Sequence, residues 1–316
     1  MRIAAGSFPF RKNGERLPAC DYWPHEQTVR MRFAFLCPIV FTAMAFLAHA
    51  SDTVSAIPDS ARKNFGLSPF YQKCIILDGF PIVASEKVHD AAVSESAIIV
   101  RGMLARRKDI LDSLAKEHIR LSVMACSERT SDIPEHSDLT PKEYWNRRAR
   151  GLGATRERPS VSCAEENVLC CKGDPYSTEN ILVHEFAHAI HIIALDKLDP
   201  TFDVRLKKTY DAAIAAGKWK NCYAAENHAE YWAEAVQSWF GTNRENDALH
   251  NHVNTRDELK EYDPDVAKLC VEVFGETNWQ YRRADDPARK DEPHLRTLDR
   301  EKLPVFEWSE AEKKQQ

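Results

Sequence analysis

The chain has no excess of positive charge. Its 43 lysines and arginines are outnumbered by 48 aspartates and glutamates, giving a net charge of -5. That balance leaves no basic footprint, so a nucleic-acid partner is not expected. Nor is there an internal repeat. No stretch after residue 50 reaches the roughly 18 apolar residues of a membrane span, so the mature protein is expected to be soluble, without stable insertion in a membrane. The sequence also has no Cys-x-x-Cys pair, which argues against a thiolate zinc site. With 43% hydrophobic and 29% charged residues, the composition is that of a globular chain with enough apolar side chains for a sizeable core.

One long apolar run is present, near the N-terminus. Met31 to Ala50 has a basic start, an apolar middle and a small-x-small ending, Ala48-His49-Ala50. This is the anatomy of a secretory signal peptide. We read residues 1–50 as leader and signal, with Met31 as the true start, cleavage after Ala50, and a secreted, extracellular product. Of the nine cysteines, seven lie beyond residue 50: Cys74, Cys126, Cys163, Cys170, Cys171, Cys222 and Cys270. Export permits disulfide bonds among them, with at least one thiol left over from the odd count.

Residues 51–68 read as a flexible lead-in. Residues 74–85 read as a strand or short hairpin around a Gly-Phe-Pro turn, 89–118 as helix with a break near Arg107, and 119–125 as a second strand. The polar stretch that follows carries one short helix after Thr140-Pro141. Residues 166–171 read as a short strand. From Ser177 the helical signal is strong, with Ser177 or Thr178 as cap and Glu179 in the first turn. Two more helices are expected, at 201–216 and 224–240, ending at Gly217 and Gly241. Strands and helices come first, helices afterwards. The expected fold class is therefore α+β, one domain over 69–300 with a charged tail at 301–316.

The chemistry sits in "HEFAH", residues 184–188. On a helix, positions four apart face the same way, so His184 and His188 can both direct a ring nitrogen at one zinc ion. Glu185 then lies beside the metal, placed to take a proton from the water that attacks. A catalytic zinc uses three protein ligands and keeps one position open. The extension HExxHxxGxxH would supply a third histidine, but His191 and Ala194 occupy its last two positions. A glutamate from a later helix is the other solution. Glu226, Glu230 and Glu234 are spaced by four on a segment rich in aromatic residues, and spacing alone does not choose among them.

Over residues 177–241 the sequence resembles the catalytic domain of anthrax lethal factor and its relatives, a gluzincin group of zinc endopeptidases. "HEFAHA" matches the motif of that family, and Tyr223, Asn227, Glu230 and the run Tyr231-Trp232-Ala233-Glu234-Ala235 match its downstream pattern. The resemblance implies a zincin-like domain with a small mixed sheet and an active-site helix. It implies one Zn2+ per chain held by His184, His188 and Glu230, with Glu234 and Asn227 supporting the ligands. It also implies that Tyr223 donates a hydroxyl to the oxyanion or the leaving amine. The expected function is a secreted zinc metalloendopeptidase that hydrolyses peptide or protein substrates with a zinc-activated water. The alternatives are a zinc-stabilised binding protein with a silent site, and a zinc hydrolase of a non-peptide substrate. His191 is expected to be a buried, hydrogen-bonded histidine, His228 to be structural, and the His250–Asn254 stretch to be a loop.

Overall fold

The computed structural model describes residues 53–105 and 107–313. The signal segment and the residues before it lie outside them. Five strands form one mixed sheet in the order β1 (Ser55–Ala56), β2 (Lys73–Leu77), β3 (Phe80–Ala84), β4 (Arg120–Met124), β5 (Ser160–Ala164). The first two pairings are antiparallel and the last two parallel. The fold class is α+β, as expected.

The β2–β3 hairpin closes on Asp78-Gly79 rather than on Gly-Phe-Pro. Both residues have positive φ, 49° and 92°, which suits a two-residue turn matched to the twist of its strands. Phe80 and Pro81 already belong to β3, and Pro81 stands opposite Ile76. It lies one residue before the β3–β4 ladder begins at Ile82, where its missing N–H costs no ladder bond.

Residues 53–68 are not a loose lead-in. They carry β1 and helix α1 (Asp59–Phe65), and Ile57, Phe65 and Leu67 are buried with Tyr71, Cys74 and Val83. The crossover from β3 to β4 is made by α2 (Asp90–Leu104) and α3 (Lys108–Lys116), with the break near Arg107 in its expected position. The long polar connection from β4 to β5 carries α4 (Lys142–Arg148) after Pro141.

The expected strand at 166–171 is a correction. Residues Glu165–Val168 form a helical turn, α5, and the strand is the preceding Ser160–Ala164. A strand of small residues and serines lacks the β-branched signature. It is held by polar pairing instead: Ser160 and Ser122 share a hydroxyl bond at 2.7 Å, and Ser162 meets His136 Nε2 at 3.0 Å. Glu165 and Glu166 then occupy the first turn of α5, where acidic residues favour a helix N-terminus.

The helix that carries the HEFAH motif, α6, spans Ile181–Ala189. Its N-cap is Asn180, whose side chain accepts from Val183 N, and not Ser177 or Thr178. The helix continues as a π-helical segment, Ile190–Leu195, and a last turn, α7 (Asp196–Leu198). Then come α8 (Phe202–Ala215) and α9 (His228–Phe240). The latter begins four residues later than expected, because Asn227 caps it, and it ends at Gly241, φ 71°. Helices α10 (Arg256–Tyr262) and α11 (Pro264–Phe274) complete the helical half, and α12 (Glu310–Lys313) lies near the end of the chain. The C-terminal stretch is attached: Phe306 is buried and Glu312 pairs with Arg129 at 2.7 Å.

Sheet and helices share one core. Phe80 of β3 meets Phe186 of α6 edge to face at 5.8 Å, and Trp232 of α9 stacks on Phe274 of α11. Trp232 also donates its indole N–H to the Ala187 carbonyl at 3.0 Å, which pins α9 to α6. All seven cysteines among the described residues are free thiols, so the disulfides expected there are absent. Cys163 and Cys270 are wholly buried. Cys171 Sγ faces the Glu165 carbonyl at 3.9 Å. Among the described residues no helix is long and apolar enough to cross a membrane.

Candidate metal centre

Packing α9 against α6 brings three donor atoms together. His184 Nε2 lies 3.1 Å from Glu230 Oε2, His188 Nε2 lies 3.3 Å from the same oxygen, and the two nitrogens are 3.2 Å apart. Zinc–nitrogen and zinc–oxygen bonds of about 2.0–2.1 Å at tetrahedral angles put ligand atoms about 3.3–3.4 Å apart. The triangle fits one such ion, and two imidazoles with a carboxylate are a donor set that suits zinc. Of the three glutamates open from spacing, Glu230 alone completes the triangle. Glu226 is exposed, and Glu234 lies behind His184, with Oε1 3.7 Å from Nδ1.

Three carboxylates, Glu185, Glu230 and Glu234, act on His184. Burial works against a proton on His184, but Glu230, Glu185 and Glu234 overcome it and hold the imidazole well above its ordinary pKa. Burial likewise disfavours ionised Glu230, yet the two histidines hold its carboxyl far below the usual range. Burial raises Glu185, with the two histidines opposing and Glu230 and Glu179 adding to the rise. A carboxylate with raised basicity is what proton abstraction requires.

The hydrogen-bond partner behind His184 differs from expectation. Nδ1 meets Gln237 Oε1 at 2.7 Å. Gln237 Nε2 is directed at Glu179 Oε2 and the Asn180 carbonyl, at 3.2 and 3.4 Å. Both are acceptors, so the amide orientation is fixed and Nδ1 must be the donor. Nε2, 3.1 Å from Glu230 Oε2, is then the nitrogen that would give up its proton to a metal. Glu234 instead accepts from Asn243 at 3.0 Å, and its other near neighbour is His250, 3.6 Å away. Asn227, expected to support a ligand, acts through the backbone. It caps α9 by accepting from the amides of Ala229 and Glu230 at 2.9 and 3.0 Å.

The cluster opens into a cleft of about 500 Å³, also lined by Glu185 and Tyr223. The Tyr223 ring lies 6.3 Å from that of His184, and its hydroxyl accepts from Arg148 Nη2 at 3.4 Å. Burial and Glu230 raise the phenol, with Arg148 opposing, so it stays protonated at neutral pH and can donate. Opposite α6 runs the segment Gly151–Ala154. It joins the edge of β5 through an antiparallel bridge from Leu152 to Ser162. A Cβ on Gly151 would stand 2.4 Å from Ile181 Cγ2, and one on Gly153 would stand 3.1 Å from His188 Cβ and 3.5 Å from Glu185 Oε2. Glycine is what lets this backbone lie against the motif. Arg150, wholly buried, anchors it with two bonds to Glu166, at 2.5 and 3.0 Å.

Sequence reasoning thus missed Gln237, Arg148, His250 and the glycine segment. Of these, only the two glycines flanking Leu152 left a trace, as a break in an otherwise polar stretch. Among the minor expectations, His191 is buried and hydrogen-bonded, and His228 binds the same partner, Asp203.

Neither comparison with protein-family models nor comparison with curated proteins gives a match. Among solved structures, the Pro-Pro endopeptidase of Paenibacillus alvei is similar over 63% of this chain and 100% of that one, at 18% identity and a TM-score of 0.45. At that level the likeness supports nothing further about this chain.

Proposed function

We propose that the protein is a zinc metalloendopeptidase, with His184, His188 and Glu230 as ligands, Glu185 as general base and Tyr223 as hydrogen-bond donor to the reacting carbonyl. The observation that carries this reading is the convergence of three donors at tetrahedral spacing, with a basic glutamate beside them in an open cleft. A zinc ion bound there would supply Lewis acidity toward a peptide carbonyl and toward water. The remaining work belongs to the chain. The Glu185 carboxylate takes the proton from the attacking water and delivers it to the departing amine nitrogen. The Tyr223 hydroxyl, directed by Arg148, donates to the oxygen on which negative charge develops. Leu152 spends its backbone N–H and C=O on Ser162, and Gly151 and Gly153 line the cleft, where an extended peptide would run alongside them.

The motif's resemblance to the lethal-factor group supports the same ligand set. The Met31–Ala50 segment supports export, with Ser51 as the first residue of the mature chain. The deciding experiment measures zinc content and cleavage of a diverse peptide library by the protein from residue 51 onward, with Glu185→Gln as control. Zinc binding without cleavage of any peptide would overturn the peptidase assignment. N-terminal sequencing of exported material tests the processing site.

A further inference from the structure

A second group of ligating side chains lies outside the cleft. His191 stands in the π segment three residues after His188, His228 opens α9 two residues before Glu230, and Asp203 is in the first turn of α8. The Nε2 atoms of both histidines lie 2.9 Å from the same oxygen, Asp203 Oδ1. The rings are 5.9 Å apart and nearly perpendicular, and the three donor atoms all fall within 4.8 Å of one another. None of the three residues lines the cleft.

The arrangement goes beyond an aspartate that accepts two N–H bonds. His191 is 3% exposed, and its one polar contact, through Nε2, is a carboxylate whose side chain is 61% exposed, beside a second imidazole. Its Nδ1 has no partner, so ligation through Nε2 would place the ring proton on a buried, unpaired nitrogen, a cost the metal bonds must exceed. A tetrahedral ion needs donors about 3.3 Å apart. The contacts to Asp203 must open by a few tenths of an ångström, and an exposed aspartate in a first helical turn has that freedom.

We propose that His191, Asp203 and His228 form a second metal site, distinct from the cleft, that takes a borderline divalent transition-metal ion such as zinc, with water completing the coordination. Two imidazoles and one carboxylate select against calcium and magnesium, which prefer oxygen ligands. The ion would tie the π segment, α8 and the start of α9 together, next to the helical ends that carry His188 and Glu230. This inference holds whether or not the cleft turns over substrate.

The test is zinc titration of the purified chain by calorimetry and metal analysis, with wild type, Asp203→Ala, His228→Ala and Glu230→Ala. Asp203→Ala and His228→Ala should each bind one zinc fewer than wild type, and calcium should not compete. Glu230→Ala should keep the second ion, which cobalt substitution would report as a visible spectrum abolished by Asp203→Ala. Circular dichroism checks that the two exposed-site variants fold. If both bind as many zinc ions as wild type, the three residues are a hydrogen-bonded cluster only and the proposal is wrong. If wild type binds a single ion that Asp203→Ala loses and Glu230→Ala keeps, the second site stands and the cleft assignment fails.

Discussion

Replacing Gln237 by methionine removes one hydrogen-bond acceptor behind the metal centre while keeping nearly the same volume. Gln237 is fully buried, and its Oε1 is 2.7 Å from His184 Nδ1. The nearest alternative acceptor, Glu234 Oε1, is 3.7 Å away, too far for a hydrogen bond. The variant therefore leaves an imidazole N–H buried and unpaired, at a cost of about 1–3 kcal/mol. It also frees the ring to adopt the other tautomer, in which Nε2 carries the proton and cannot ligate. Loss of a partner of this kind typically costs about 10- to 100-fold in metal affinity, or about 1.4–2.7 kcal/mol. Zinc affinity, measured by competition with a chromophoric chelator at neutral pH, should fall by that factor in Gln237→Met. Glu234→Gln should lose less than about tenfold, since Asn243 is its direct partner. The reasoning is refuted if Gln237→Met binds zinc like wild type while Glu234→Gln loses it. Glu234 would then be the group that sets the tautomer, as the family resemblance implied.

Glu185→Gln should retain zinc and lose turnover by at least about 100- to 10,000-fold, the usual worth of a general base. Tyr223→Phe should lose about 100- to 1,000-fold with little change in substrate binding. Parallel kinetics and metal analysis check both, and full activity in Tyr223→Phe would return that residue to a packing role. Glu166→Gln breaks a pair in which both side chains are 0% exposed, so thermal or denaturant unfolding should register a loss of about 3–5 kcal/mol. A change below 1 kcal/mol would mean that Arg150 is held by its carbonyl contacts instead. His136 gives the pH prediction. Burial lowers its pKa from 6.5 to about 4, so the unfolded chain takes up a proton that the folded chain refuses. Stability should fall as pH drops from 6.5 toward 4, by up to about 3 kcal/mol from this group alone. His136→Gln should flatten the unfolding curve over that window, and an unchanged acid slope would count against the burial argument.

What the sequence disclosed depended on whether a signal was local. Glu185 and the paired histidines needed only helical spacing, which α6 provides. Gly217, Gly241, the break near Arg107 and the helix after Pro141 were legible because caps and breakers act over a few residues. The β5 strand was not. Its serines have no strand signature of their own, and they are stabilised by Ser122 and His136, 38 and 26 residues away in the chain. The start of α6 was misplaced for a similar reason. Ser177, Thr178 and Asn180 are all capable caps, and the choice follows from tertiary pairing. Glu179 is drawn to Arg244 and the Asn180 amide to the Thr242 carbonyl, which leaves the Asn180 side chain to accept from Val183.

The same contrast separates the ligands from what orients them. Glu226, Glu230 and Glu234 are equivalent in spacing, but Asn227 caps α9 and leaves Glu226 outside it, and the crossing of α9 over α6 separates Glu230 from Glu234. That crossing is set by Trp232, whose indole reaches the Ala187 carbonyl between the two motif histidines. Four residues before Glu230, the exposed Glu226 lies outside the helix, and one turn further along α9 leads behind His184 to Glu234. At the next turn stands Gln237, on the same face of α9 and three residues from Glu234, where it meets Nδ1. A polar uncharged residue inside an aromatic helix is ordinary in sequence. It becomes an orienting group because its amide N–H groups are already committed to Glu179 and Asn180, which turns its carbonyl oxygen toward the imidazole. The proposed metal chemistry therefore rests on an amide whose role follows from two acceptors at the start of α6, 57 and 58 residues earlier in the chain.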